Sequence, residues 1–183
     1  MTNAEKILTL LGEKLSSPVE LTLYGRAALQ LGFEHAPDDY AHSRDVDAVL
    51  WLDQAEDLNR TTNFWEAVDA VNSELADQEL YISHFFVEDQ VILRPDWREN
   101  RVQLPGQWGR LRLYRLGNSD MLLSKLMRDD PLDQSDARFI AERGGLSPAA
   151  IREIIAAARI PDITEIREQF ELASRRLLDS LAR

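Results

Sequence analysis

The chain has no cysteine among its 183 residues, which excludes disulfides, thiol catalysis and cysteine-ligated zinc together. No apolar run approaches the roughly 20 residues that a membrane-spanning helix needs, so no membrane partner is expected. The N-terminal segment reads as a helix rather than as a signal peptide. Glu5, Lys6, Glu13 and Lys14 surround its leucines, which is the pattern of an amphipathic helix. Repeats and low-complexity tracts are absent. With 44% apolar and 8% aromatic residues, disorder is excluded as well. What remains is a cytoplasmic protein of one compact domain, or of a core with a helical appendage.

Basic side chains are scarce at one end. Residues 1–90 hold 5 basic and 18 acidic side chains, whereas residues 91–183 hold 16 and 14. An acidic chain is a poor general binder of nucleic acid, because phosphate neutralisation supplies most of that affinity. In mid-chain, Arg94, Arg98, Arg101, Arg110, Arg112 and Arg115 outnumber Asp96 and Glu99. They read either as the solvent face of a hairpin or as a cluster that steers a triphosphate or an RNA end.

Hydrophobic spacing predicts the elements. Ile7, Leu8, Leu11 and Leu15 mark a helix over 3–15. Val19 to Tyr24 is a strand broken by Gly25, and Arg26 to Leu31 is a short helix stopped by Gly32. Residues 34–42 read as a polar loop and Asp45 to Leu52 as a strand. Phe64, Val68, Val71 and Leu75 lie on one face of a helix that Thr61 or Thr62 can cap. Leu80–Phe86 and Gln90–Leu93 read as two strands joined by a tight turn, and Arg110–Tyr114 as another. Beyond Asn118 the pattern is helical. Ser119 and Asp133 are candidate caps, Gly144-Gly145 a stop, Ser147-Pro148 a further start, and Pro161-Asp162 the opening of the last helix. The expected architecture is α+β: a small mixed sheet flanked by helices over 1–117, then a C-terminal helical bundle over 118–183 packing on that core.

The most informative stretch runs from Thr22 to Leu52. Gly25 ends one apolar strand at the start of a helix, and Asp45-Val46-Asp47 opens the next. Alternate strand side chains share a face, so Asp45 and Asp47 point the same way. Two carboxylates beside a glycine at a helix N-terminus suit Mg²⁺ and a nucleotide triphosphate. Mg²⁺ takes one or two carboxylates completed by water and phosphates, and the helix start offers free N–H groups to an anion.

These residues resemble the signature of the nucleotidyltransferase fold, a glycine followed one strand later by Asp-x-Asp. The resemblance is to the AbiEii-like and DUF6036 branch, and it extends to Leu80–Phe86, to Asp89–Trp97, to Ser119–Leu126 and to Asp133-x-x-Asp136, roughly residues 20–142 in all. Two departures stand out. Arg26 occupies the position where that superfamily usually has Ser or Gly, and an acidic insertion over 34–44 lengthens the gap from Gly25 to Asp45. The further acid usual on a neighbouring strand also lacks a clean match, since Ile82 to Phe86 offers only Ser83 and His84.

For each candidate a plainer role stands beside the chemical one. Asp45 and Asp47 are metal ligands or a solvated strand start. Arg26 clamps a phosphate or pairs with Asp45 or Asp47. His84 is a metal ligand or base, or a core histidine. Asp133 begins a helix or faces the site. Lys125 snorkels out of an apolar helix or points into a cleft. His35 and His42 with Asp38 and Asp39 form a metal group or a solvated loop.

The resemblance implies a Mg²⁺-dependent transferase in which Asp45 and Asp47 hold the metal, with a two-ion site open, and Gly25 and Arg26 cradle phosphates. Lys125 then supplies counter-charge, with Asp136 orienting it, in a cleft shared by residues 22–50 and 118–142. The substrate is an NTP. The acceptor is a hydroxyl on tRNA, another RNA end or a cognate operon-encoded protein, in a toxin–antitoxin or phage-defence setting. The alternative is a catalytically silent binding or antitoxin-like module on the same fold.

Overall fold

The computed structural model describes residues 1–60 and 63–182, and the chain falls into two compact units. The first comprises Met1–Val87 with Arg101–Arg115, the second Glu88–Asn100 with Leu116–Arg183. The fold class is α+β, with a five-stranded mixed sheet flanked by helices.

In the first unit α1 (Asn3–Lys14) begins at a capping box, in which Thr2 and Glu5 each accept the other's backbone N–H. That reciprocal pair satisfies two of the donors a helix start leaves open. Ile7, Leu8 and Leu11 of α1 are fully buried. The sheet contains β1 (Val19–Tyr24), β2 (Asp45–Leu50), β3 (Tyr81–Val87), β4 (Val102–Gln103) and β5 (Leu111–Arg115), in the order β3-β2-β1-β5-β4. β1 runs antiparallel to β2 and parallel to β5, β2 is parallel to β3, and β4 is antiparallel to β5.

The pleat divides this sheet into unlike faces. Leu21, Leu23, Val46, Ala48, Leu50, Ile82 and Leu113 are buried, and α1, α2 (Gly25–Gly32) and α4 (Phe64–Leu75) pack on the sheet. Phe64 of α4 meets Phe85 of β3 edge to face at 5.3 Å. Each such side chain removed from water contributes about 1.5–3 kcal/mol. The other face carries Glu20, Thr22, Tyr24, Asp45, Asp47, Tyr81, His84 and Phe86, so it is polar and aromatic.

The second unit holds α5 (Asn118–Lys125), α6 (Pro131–Arg143), α7 (Pro148–Ala156) and α8 (Thr164–Leu181). Residues 88–100 join them through buried Val91, Ile92, Leu93 and Trp97. Trp97 donates its indole N–H to Glu88 at 2.9 Å, and the Arg159 N–H bonds the Leu93 carbonyl at 2.8 Å. Among the described residues no helix is long and apolar enough to cross a membrane.

Several local expectations are corrected. Gln90–Leu93 is not a strand: Val91, Ile92 and Leu93 are core of the second unit, and Leu93 makes one isolated bridge to Arg159. The strand from Asp45 stops at Leu50, and α3 (Leu52–Arg60) starts at a leucine that is 57% exposed. The polar loop over 34–42 contains a 3₁₀ turn, Asp38–His42, around buried Tyr40. Gly117, not Ser119, precedes α5. Asp130, not Asp133, caps α6 and accepts the N–H groups of Leu132 and Asp133. The last helix starts at Thr164, later than Pro161. Ser147 caps α7 as expected, accepting the Ala150 N–H. The proposed capping residues Thr61 and Thr62 lie outside the described residues.

Candidate functional site

β2 presents Asp45 and Asp47 on the polar face while Val46, pointing the other way, is buried. Across the antiparallel pairing Asp47 stands opposite Tyr24, the last residue of β1. Gly25 then turns the chain into α2 at φ +74°, a left-handed conformation that glycine adopts without penalty. A β-carbon there would sit 3.4 Å from Asp47 Oδ2, so backbone and carboxylate are near neighbours. Among the described residues no side chain caps the start of α2, and no acid lies in its first turn. Its leading N–H groups and positive dipole end therefore meet no competing protein anion from the helix itself.

On the other side of β2 the register slips between Val46 and Asp47, which stand opposite Ile82 and His84. The extra residue is Ser83. The bulge re-aims its side chain, and its hydroxyl reaches both acids, at 2.5 Å from Asp47 Oδ1 and 3.4 Å from Asp45 Oδ2. His84 Nδ1 lies 3.3 Å from the same Asp47 Oδ1, and Ser43 donates to Asp45 Oδ1 at 3.1 Å. Asp47 therefore has one oxygen engaged by β3 and the other directed toward Gly25.

Electrostatically the pair is short of positive charge. Among the described residues neither Asp45 nor Asp47 has a lysine or arginine within 4.0 Å. Burial pushes the Asp47 carboxyl above its ordinary pKa and the Asp45 charge adds to the rise, while the Ser83 hydroxyl and His84 oppose it. A cation at this face would oppose that rise by favouring the ionised carboxylate.

The donor set suits Mg²⁺. It supplies two hard carboxylates and a hydroxyl, and Mg²⁺ sites commonly use one or two carboxylates completed by water and substrate phosphates. Among the described residues no group of three or more His, Asp or Glu is arranged to hold an ion. An ion here would thus take the rest of its shell from a ligand.

Arg26 stands apart from the acid pair. Its guanidinium meets Asp39 at 3.2 Å and lies over the Tyr40 ring at 4.9 Å, tying α2 to the 3₁₀ turn. His42 Nδ1 contacts the Asp38 carbonyl at 2.9 Å, and His35 with Asp38 and Asp39 builds no metal group. The mid-chain arginines divide between the units. Arg101 reaches Glu20 at 2.6 Å and Thr22 at 3.2 Å, and lies over the Tyr114 ring at 4.5 Å. Arg110 bonds the Leu15 carbonyl at 2.9 Å. Arg115, buried against Phe33, has its pKa lowered by desolvation.

In the second unit, Lys125 at the end of α5 is buried with its ammonium between two carboxylates of α6. Asp136 lies at 2.7 Å and Asp133 at 3.1 Å. Arg128 completes the group at 2.7 Å from Asp133. Asp120, with no exposed surface, accepts the Arg94 backbone N–H at 2.8 Å and its guanidinium at 3.1 Å. Desolvation still raises the Asp120 pKa, although Arg94 opposes it.

The pairing of Lys125 with Asp136 was expected only from the family resemblance, and the two do form an ion pair. Two further contacts were not foreseen. Ser83 joins the acids only because of a bulge that alternation does not announce, and Arg94 with Asp120 joins positions 26 residues apart. Comparison with known protein families, characterised proteins and solved structures returns no match to this chain.

Proposed function

We propose that the chain is a Mg²⁺-dependent nucleotidyltransferase that moves a nucleoside monophosphate from an NTP to a hydroxyl on RNA or protein. The supporting observation is the acid pair: Asp45 and Asp47 share one face beside Gly25 and the uncapped start of α2, with no lysine or arginine in contact among the described residues. Asp45 and Asp47 would hold the metal, which when bound supplies charge neutralisation at the phosphates. Gly25 and the leading N–H groups of α2 receive phosphate oxygens. Held there, the α-phosphorus is open to the acceptor. The acceptor oxygen bonds to it, the bond to the α–β bridging oxygen breaks, pyrophosphate leaves, and the hydroxyl proton passes to water. Positioning and electrostatics carry most of such a reaction. The nucleotidyltransferase resemblance supports this reading, and its AbiEii-like branch suggests tRNA, another RNA end or an operon partner as acceptor, in a toxin–antitoxin or phage-defence setting.

The test is incubation of the purified chain with each α-labelled NTP, Mg²⁺ and total RNA. Label should appear in RNA or protein with the wild type and vanish with Asp47→Asn. No labelling with any NTP overturns the enzyme reading. A second reading, a silent binding module on the same fold, is favoured by three observations. Lys125 is satisfied by Asp133 and Asp136, Arg26 is engaged by Asp39, and Ser83 with His84 occupies the strand where a third acid is usual.

A further inference from the structure

We propose that the same face selects a purine nucleotide by stacking its base on His84; this rests on the nucleotide reading above. The His84 side chain is 62% exposed, yet its ring is not loose. Phe86 backs it at 5.2 Å with the planes 27° apart, Tyr24 meets Phe86 edge to face at 5.8 Å, and Asp47 holds Nδ1 at 3.3 Å. An imidazole held in this way keeps one ring face against Phe86 and turns the other to solvent. A flat, oriented, exposed ring on a sheet face is what sequence-tolerant base stacking uses, and such stacking strengthens with the size of the base.

The layout fits one nucleotide. Tyr24, Asp47 and His84 stand abreast on three adjacent strands, so His84 lies about 10 Å across the sheet from the Gly25 turn, two strand spacings. Phosphates at Gly25 thus leave the base over β3, with the sugar above β2 between them.

The test compares the binding of Mg²⁺-ATP, Mg²⁺-CTP and Mg²⁺-tripolyphosphate, which lacks a base, by calorimetry. Wild type should bind ATP more tightly than CTP. His84→Ala should weaken ATP about tenfold more than tripolyphosphate, an ordinary stacking loss, since any loss through the Asp47 contact falls on both ligands. His84→Phe, which keeps a ring but loses the Asp47 contact, should retain the preference for ATP over tripolyphosphate. Equal loss of ATP and tripolyphosphate on His84→Ala, or no loss of either, overturns base stacking while the phosphate site stands. Failure of the wild type to bind any of the three overturns the nucleotide reading, and this inference with it.

Discussion

The two units of this molecule treat wholly or partly buried acid in opposite ways. In the second, every buried aspartate is matched by a cation: Asp120 by Arg94, Asp133 by Lys125 and Arg128, Asp136 by Lys125. In the first, the side chains that hydrogen-bond Asp45 and Asp47 among the described residues are two serine hydroxyls and one histidine. Burying a carboxylate costs energy unless a partner compensates. The second unit compensates internally, and its acids thereby become part of the fold. The first shows no such internal compensation among the described residues, and this difference separates a structural acid cluster from a candidate site.

Breaking the internal compensation should give the largest effect. Lys125→Met keeps the apolar stem but leaves Asp136, 1% exposed at its side chain, buried without its ammonium. Removing one partner of a buried pair typically costs about 3–5 kcal/mol, so urea unfolding should show a loss of that order. A loss below about 1 kcal/mol, the worth of a surface pair, would erase the contrast between the units. Transfer activity falling in Lys125→Met far more than stability explains would favour a phosphate role for this lysine.

External compensation should come next in size. Mg²⁺ with a bound NTP stabilises by about 2.7 kcal/mol at a hundredfold excess over Kd, and the melting temperature should rise accordingly. Asp45→Asn with Asp47→Asn should abolish the rise without weakening the ligand-free protein, the opposite of Lys125→Met. The pH dependence has a definite sign. The folded Asp47 pKa lies above its ordinary 3.8, so the folded state holds that proton more tightly. Its contribution to stability is therefore complete below pH 3.8 and is lost as pH rises through the folded pKa. Asp47→Asn should gain on the wild type across that window, as measured by urea unfolding at successive pH values. A constant difference would show that Asp47 carries no desolvation penalty.

The sequence disclosed these two regions unequally. Strand alternation placed Asp45 and Asp47 on one face, and glycine chemistry placed Gly25 at the turn, because both rules act within a few residues. The apolar run Gln90–Leu93 misled, since hydrophobicity reports burial and says nothing of which backbone groups pair. Leu52 misled in the same way, its side chain reading as a continued strand where a helix begins. Asp133 had the chemistry of a cap, but Asp130 lies before Pro131, a residue suited to the first helical turn. The Ser83 bulge and the Arg94–Asp120 clamp depend on register and on long-range packing, which local pattern does not encode.

Gly25 offers a smaller test of the unmatched region. At φ +74° an L-residue is disfavoured by about 1–2 kcal/mol, and Gly25→Ala should cost stability on that scale. The added methyl meets Asp47 Oδ2 at an ordinary 3.4 Å, so the acids themselves need not move. Mg²⁺-NTP affinity should nevertheless fall, because the backbone can no longer approach phosphate as closely. Unchanged affinity, by calorimetry, would place the phosphates away from this turn.

The smallest effect sharpens the contrast most. Ser83→Ala removes a hydroxyl 2.5 Å from Asp47, worth about 1 kcal/mol as an ordinary hydrogen bond. Because that hydroxyl lowers the Asp47 pKa, its loss should also extend the pH-linked limb to higher pH. Ser83→Asp instead supplies a third carboxylate beside two that already repel. Without metal it should destabilise, since like charges at hydrogen-bonding distance raise one another's pKa. With Mg²⁺ the sign should reverse, as the added acid becomes a further hard ligand. A thermal scan of Ser83→Asp with and without Mg²⁺ separates the outcomes: loss in both would mean that the first unit, like the second, holds its acids for the fold alone.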